Sequence, residues 1–254
     1  MSTITTPAVV PAAGSLARRT GPSFPALTGL EIRKSLSTRS GKSVAALAVA
    51  IGPLGVLIAS LTSGAGVVPA AVAIGIMGML VALVLLALGV LSTAGEWTHK
   101  SVQTTYLLVP ERGRVLAAKA AAMAVLGLVL SALGVGLALA ALAAFTPGVI
   151  WFAATQAIVT VVAAGAAFAV IGAGIGAAVG ISAAALTGTY LILLGVLPVV
   201  SSVEPEIADK LDPAASIVTL AQHGAAATPI AVISGWVLVS TVAGALVTRR
   251  RAVT

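Results

Sequence analysis

Glu96 and His99 stand three residues apart, the spacing at which one helix face turns a carboxylate and an imidazole toward the same point. Carboxylate-bridged metal bundles use that pair on two helices. Here it occurs once, and the second histidine, His223, is predicted on the opposite side of a membrane, which also removes a Ser-His-Asp arrangement. The HExxH helix of an intramembrane metalloprotease is missing. Residues 40–43, SGKS, end like a phosphate-binding loop, but Leu36 stands where that pattern requires glycine and no strand precedes it. Gly172, Gly174 and Gly176 form a GxGxG fragment between apolar runs, and Gly172, Gly176 and Gly180 have the spacing of a close helix-packing surface. Glu204, Glu206, Asp209 and Asp212 share a segment punctuated by Pro205 and Pro213, which reads as a solvated loop with short helical turns. These residues predict no catalytic site, no metal site and no cofactor held by this chain.

The elements that carry these residues are set by composition. Of 254 residues, 59% are hydrophobic and 8% charged, with a mean hydropathy of +1.14. A soluble domain carries about 25% charged residues, so this chain is not a soluble globule. Its apolar runs are continuous rather than the short alternating segments of a membrane β-barrel. The fold class is therefore an all-α membrane protein. With no cysteine there is neither a disulfide framework nor a thiolate metal site. The net charge of +7 lies beside apolar spans, where it signals orientation and attraction to anionic headgroups rather than nucleic acid.

Six transmembrane helices are predicted, over residues 44–61, 67–94, 115–145, 150–171, 181–200 and 228–247. The stretch 149–203 would be about 80 Å long as one helix at ~1.5 Å per residue, so it must fold back, and the glycine-rich residues 172–182 are the expected reversal. Residues 1–24 read as a disordered cytoplasmic tail without the apolar core of a signal peptide. With both termini cytoplasmic, 13 of the 14 basic residues fall on one side and only Lys210 on the other. That asymmetry follows the positive-inside rule and requires an even number of spans. Trp97, Trp151 and Trp236 are expected at span ends as interfacial anchors.

Residues 95–119 interrupt this pattern. They carry Glu96, His99, Lys100, Glu111, Arg112, Arg114 and Lys119, while residues 43–94 before them and 120–203 after them contain no Asp, Glu, Lys or Arg. Between the second and third spans they form a cytoplasmic loop. Val102, Tyr106 and Val109 make one apolar stripe of a short helix, Pro110 ends it and suits the start of the next, and Glu96 and Lys100 have the spacing of a helical ion pair. Spans with no internal ionisable group speak against a proton-coupled carrier, so energy for transport would enter from outside the chain, through this loop.

The loop EWTHKSVQTTYLLVPERGRVLAAK resembles that of bacterial ABC-2-type membrane permeases, in an order met by Glu96, Trp97, His99, Thr104, Thr105, Pro110, Arg112, Arg114 and Lys119. The segment LEIRKSLSTRS, residues 30–40, resembles the membrane-surface helix that precedes the first span there, and the last span ends at TRRR. The resemblance runs from about residue 25 onward, making 25–254 a six-span permease domain with a cytoplasmic N-terminal surface helix. It implies a transport subunit, not an enzyme, in the inner (plasma) membrane, paired with a second permease subunit in a homodimer or heterodimer. ATP and Mg would belong to a separate ABC ATPase partner, in keeping with the missing phosphate-binding loop. Glu96, His99, Thr104, Pro110, Arg112, Arg114 and Lys119 would then couple to the ATPase. Glu31, Arg33, Lys34 and Arg39 would anchor the surface helix to membrane lipids or to the same partner. Export of lipophilic or drug-like cargo is the expected function. A secondary carrier or a six-span membrane enzyme, independent of an ATPase, is the alternative.

Overall fold

A chain this apolar has few ways to satisfy its backbone in hydrocarbon, and the helix, which closes every hydrogen bond within one segment, is the one its unbroken runs permit. The computed structural model describes residues 22–62, 68–98, 112–224 and 226–251. Among them, six helices are long and apolar enough to cross a membrane. A short helix α1 (Phe24–Ser35) precedes the first span, α2 (Arg39–Thr62). Then come α3 (Ala70–Thr98), α4 (Arg112–Phe145) and α5 (Ala154–Val179). The fifth span, Ser182–Val203, is α-helical over Ser182–Tyr190 (α6), π-helical over Leu191–Val196 and α-helical again over Leu197–Val203 (α7). Pro198 explains the wide turns just before it, since proline lacks an N–H and its ring presses on the carbonyl four residues back. Two helices, α8 (Pro205–Ala208) and α9 (Pro213–His223), lead to the last span, α10 (Ala227–Arg250).

The turn after the fourth of these helices is not where the glycine run suggests. Residues 172–179 are not the reversal between the fourth and fifth spans: α5 runs on to Val179 and turns at Gly180, whose φ of 74° is a left-handed helix cap that glycine adopts without strain. The glycines before it are packing surface. A Cβ on Gly172 would lie 2.1 Å from the Leu86 carbonyl oxygen of α3, and one on Gly176 would lie 2.8 Å from that of Val90. On the facing helix, a Cβ on Gly89 would meet the Ala169 carbonyl at 2.1 Å. Glycines on both helices thus let α3 and α5 approach backbone to backbone, and these two form the centre of the bundle. Phe168, Leu86 and Val90 are buried in the core cluster around that contact.

At one end of the bundle two residues of β1 (Val68–Pro69) pair in parallel with β2 (Val149–Ile150), joining the connections before α3 and α5. The acidic segment at this end is more ordered than short turns. Asp212 Oδ1 accepts from the backbone N–H of Ala214 at 2.8 Å and of Ala215 at 3.1 Å, capping α9, whose buried face (Ile217, Leu220, Ala221) packs on α3 and α5. Gln156 donates to the Leu220 carbonyl at 2.8 Å. Trp236 does not sit at a span end: it lies well inside α10 and its indole N–H donates to the Leu211 carbonyl at 2.9 Å. Tyr190 likewise donates to the Leu83 carbonyl at 2.7 Å, an i-to-distant bond that ties the fifth span to α3.

Candidate functional site

The opposite end of the bundle gathers α1, the last turn of α3 and the first two turns of α4. The buried stripe of α1 is Leu27, Glu31 and Ser35, a four-residue repeat that sets one apolar and two polar side chains on one face. Leu27 packs with Val115 and Ala118 of α4, which seats α1 across the helix end. That seat places Glu31 over Lys119, and the two form a hydrogen-bonded ion pair. Lys119 Nζ also donates to Glu96 Oε1 at 2.6 Å, from the neighbouring α3. Lys34, one turn of α1 away, reaches the same Glu96 oxygen at 2.6 Å. Ser35 and Ser92 hydroxyls lie 2.9 Å apart beside the cluster.

Burial makes this arrangement obligatory. Lys119 is 3% exposed, Glu31 and Glu96 7% each. An unpaired charge at such depth costs several kcal/mol, whereas here, among the described residues, two lysines stand against two carboxylates. α1 therefore cannot lift from α3 and α4 without separating buried opposite charges. Lys34, with its side chain 40% exposed, is the edge of the cluster in contact with water, at a cleft of about 430 Å³ that also borders Thr38 and Ser182.

Two arginines brace the same end. Arg114 donates to the Pro22 carbonyl at 2.9 Å, holding the chain where it enters α1. Arg251, just past α10, donates to the carbonyls of Ala178 and Val179 at 3.4 and 3.3 Å and stands 4.9 Å over the Trp97 ring. It places a cation at the negative end of α5 and stacks it on α3, joining three spans.

The structure thus brings Glu31, Lys34, Glu96 and Lys119 together and places Arg114 at the same end, on the Pro22 carbonyl. Arg33 and Arg39 are exposed on the same end. Arg112 opens α4, with its side chain outside the described residues, as are His99, Thr104, Pro110 and the stripe Val102, Tyr106 and Val109. Glu96 is a buried ion-pair partner within the chain, and Glu31 and Lys34 reach the chain's own helices, with Glu31 on the face that the seat of Leu27 turns inward. The helices that carry the spans are also not empty of ionisable groups: Lys119 lies near the start of the third and Glu96 in the last turn of the second. Ser35, Ser92 and Arg251 were not among the candidates. A lysine inside an otherwise uncharged run was the available signal for a buried partner, but its partners lie 23 and 88 residues away.

No protein-family model matches the chain, and no curated protein matches it. The protein is a multi-pass helical membrane protein.

Proposed function

We propose that the chain is the membrane-spanning permease subunit of an ATP-driven transporter of the ABC-2 type, exporting lipophilic or drug-like cargo. One observation carries the reading: the charged cluster locks the surface helix α1 to the two helix ends that bracket residues 99–111. A separate ATPase subunit engaging that connection would move α1, α3 and α4 as one body, because the cluster resists their separation. The resemblance of residues 95–119 and 30–40 to ABC-2-type permeases supports the same assignment. In this reading the basic end faces the cytoplasm of the inner (plasma) membrane, as the positive-inside rule requires, and a second permease subunit completes the path. This chain transports and does not hydrolyse ATP; ATP and Mg are held by the partner.

The test is purification of the chain from native membranes in mild detergent, with identification and quantitation of what accompanies it. A stoichiometric soluble ATPase whose hydrolysis is stimulated by the permease supports the reading. A chain that purifies alone at every detergent strength, and whose transport continues after ATP depletion, removes it. Lys119 gives a second reading some footing, since a buried ionisable group inside a span is what an ion-coupled carrier needs. Transport by such a carrier would collapse with the ion gradient and ignore ATP depletion.

A further inference from the structure

At the basic end, α4 and α10 both lean on α5 while scarcely meeting each other. Gly174 sets the separation: a Cβ there would lie 2.5 Å from the Ser240 carbonyl carbon, so α10 lies tight on α5 at that point. Towards the basic end the facing residues are small, and a crevice of about 210 Å³ remains, floored by Ala173 and Gly174 and walled by Ala117, Ala120 and Ala245. It opens outward where Gly113, Ala117 and Arg249 are exposed. Its volume is below the roughly 300–1,000 Å³ of drug-sized ligand pockets, and its shape is that of a groove along helices.

Arg249 closes this groove near the end of α10, its Nη2 3.9 Å from where a Cβ on Gly113 would stand. Unlike Arg251, which is held by α5 and Trp97, Arg249 makes no ion pair among the described residues. Among the described residues, the acids at this end, Glu31 and Glu96, are already paired with Lys34 and Lys119. An apolar slot ending in a guanidinium is complementary to an amphipathic anion, and the one a membrane supplies in quantity is an acyl chain joined to a phosphodiester. We infer that the crevice between α4 and α10 binds an anionic glycerophospholipid, one chain lying in the slot and the headgroup phosphate on Arg249. The inference needs only the membrane setting and stands apart from the transport reading.

Native mass spectrometry of the full chain in mild detergent tests it, with phosphatidylglycerol and phosphatidylcholine of identical chains added in turn. The wild-type protein should retain one phosphatidylglycerol in preference to phosphatidylcholine. Arg249→Gln should reduce that preference about fivefold, the effect of one arginine near an anionic headgroup. Ala117→Leu should fill the slot and release both lipids, and Ala245→Leu fills it from the other wall if the first variant misfolds. Lys42→Gln, exposed elsewhere on the same end, should change nothing. Equal losses from Lys42→Gln and Arg249→Gln would make the preference one of diffuse surface charge and overturn the site. Undiminished retention with the slot filled overturns it too. So does inorganic phosphate that displaces the lipid as well as phosphatidylglycerol itself does, which would leave an anion site without a chain.

Discussion

Lys119 Nζ lies 2.6 Å from Glu96 Oε1, across the ends of α3 and α4, and Lys34 of α1 approaches that same oxygen to 2.6 Å. One carboxylate oxygen is thus shared by cations from two helices, and Lys119 in turn is shared by Glu96 and Glu31. Three separate segments are closed by a single alternating chain of charges.

Removing Lys119 should be the most costly single change in this cluster. Lys119→Met leaves two buried carboxylates without their common partner, and an expected loss of about 3–5 kcal/mol follows from breaking a buried pair on one side only. Neutralising the partners as well, in Lys119→Met with Glu31→Gln and Glu96→Gln, should restore most of the stability. Thermal unfolding of the purified chain in detergent measures both. A triple variant as unstable as the single one would show that packing, not uncompensated charge, dominates.

Lys34→Ala should have a smaller effect than Lys119→Met, since its side chain is 40% exposed, water screens the pair, and Glu96 keeps Lys119. The small effect should shrink further as salt is raised, whereas that of Lys119→Met should not. Unfolding at low and high ionic strength separates the two.

The glycine contact between α3 and α5 predicts a sharp contrast between two glycines of the same chain. Gly172→Ala brings a methyl group to 2.1 Å from the Leu86 carbonyl oxygen and should destabilise by about 1–3 kcal/mol or more as the helices are forced apart. Gly188→Ala meets nothing within 4 Å and should leave the melting temperature unchanged or raise it. Fluorescence-detected size-exclusion yields after heating give the comparison directly.

Arg251→Gln should loosen the end of α5 without unfolding the bundle. It removes a cation stacked on Trp97 and bonded to Ala178 and Val179, interactions worth about 1–2 kcal/mol together. Hydrogen exchange should accelerate at Gly180, whose N–H bonds to the Gly176 carbonyl at 2.9 Å. Unchanged exchange at that amide would mean the arginine is a bystander.

The chain's lack of cysteine makes orientation directly measurable. A single cysteine at Asp209 should react with a membrane-impermeant maleimide on intact cells, and one at Arg250 only after the membrane is opened. The reverse pattern would invert the topology and place the charge cluster outside.

Hydropathy made the spans legible because crossing a bilayer is decided locally: about 20 apolar residues suffice, whatever surrounds them. Thus the third span was expected from Val115 to Phe145 and the structure has α4 ending at the same Phe145. The reversal after the fourth span was misplaced for a related reason. Glycine serves turns and close packing alike, and only the position of Leu86 and Val90 on α3 shows that Gly172 and Gly176 do the second. The unequal charge on the two ends was legible too, as a count along the chain.

What the sequence by itself determined is therefore one-dimensional: six apolar helices, their approximate ends, and a basic and an acidic end. Which side chains meet was decided by the tertiary structure alone. Glu31 and Lys119 are 88 residues apart, and their pairing depends on how far α1 is rotated about its axis when Leu27 seats against Val115 and Ala118. The same is true of Arg249 and the slot beneath it, which exists because Gly174 holds α10 close to α5 while small residues leave the space beside them unfilled. Rotation and separation of helices are properties of the packed bundle, set by side chains on several segments at once, and no single stretch of sequence contains them.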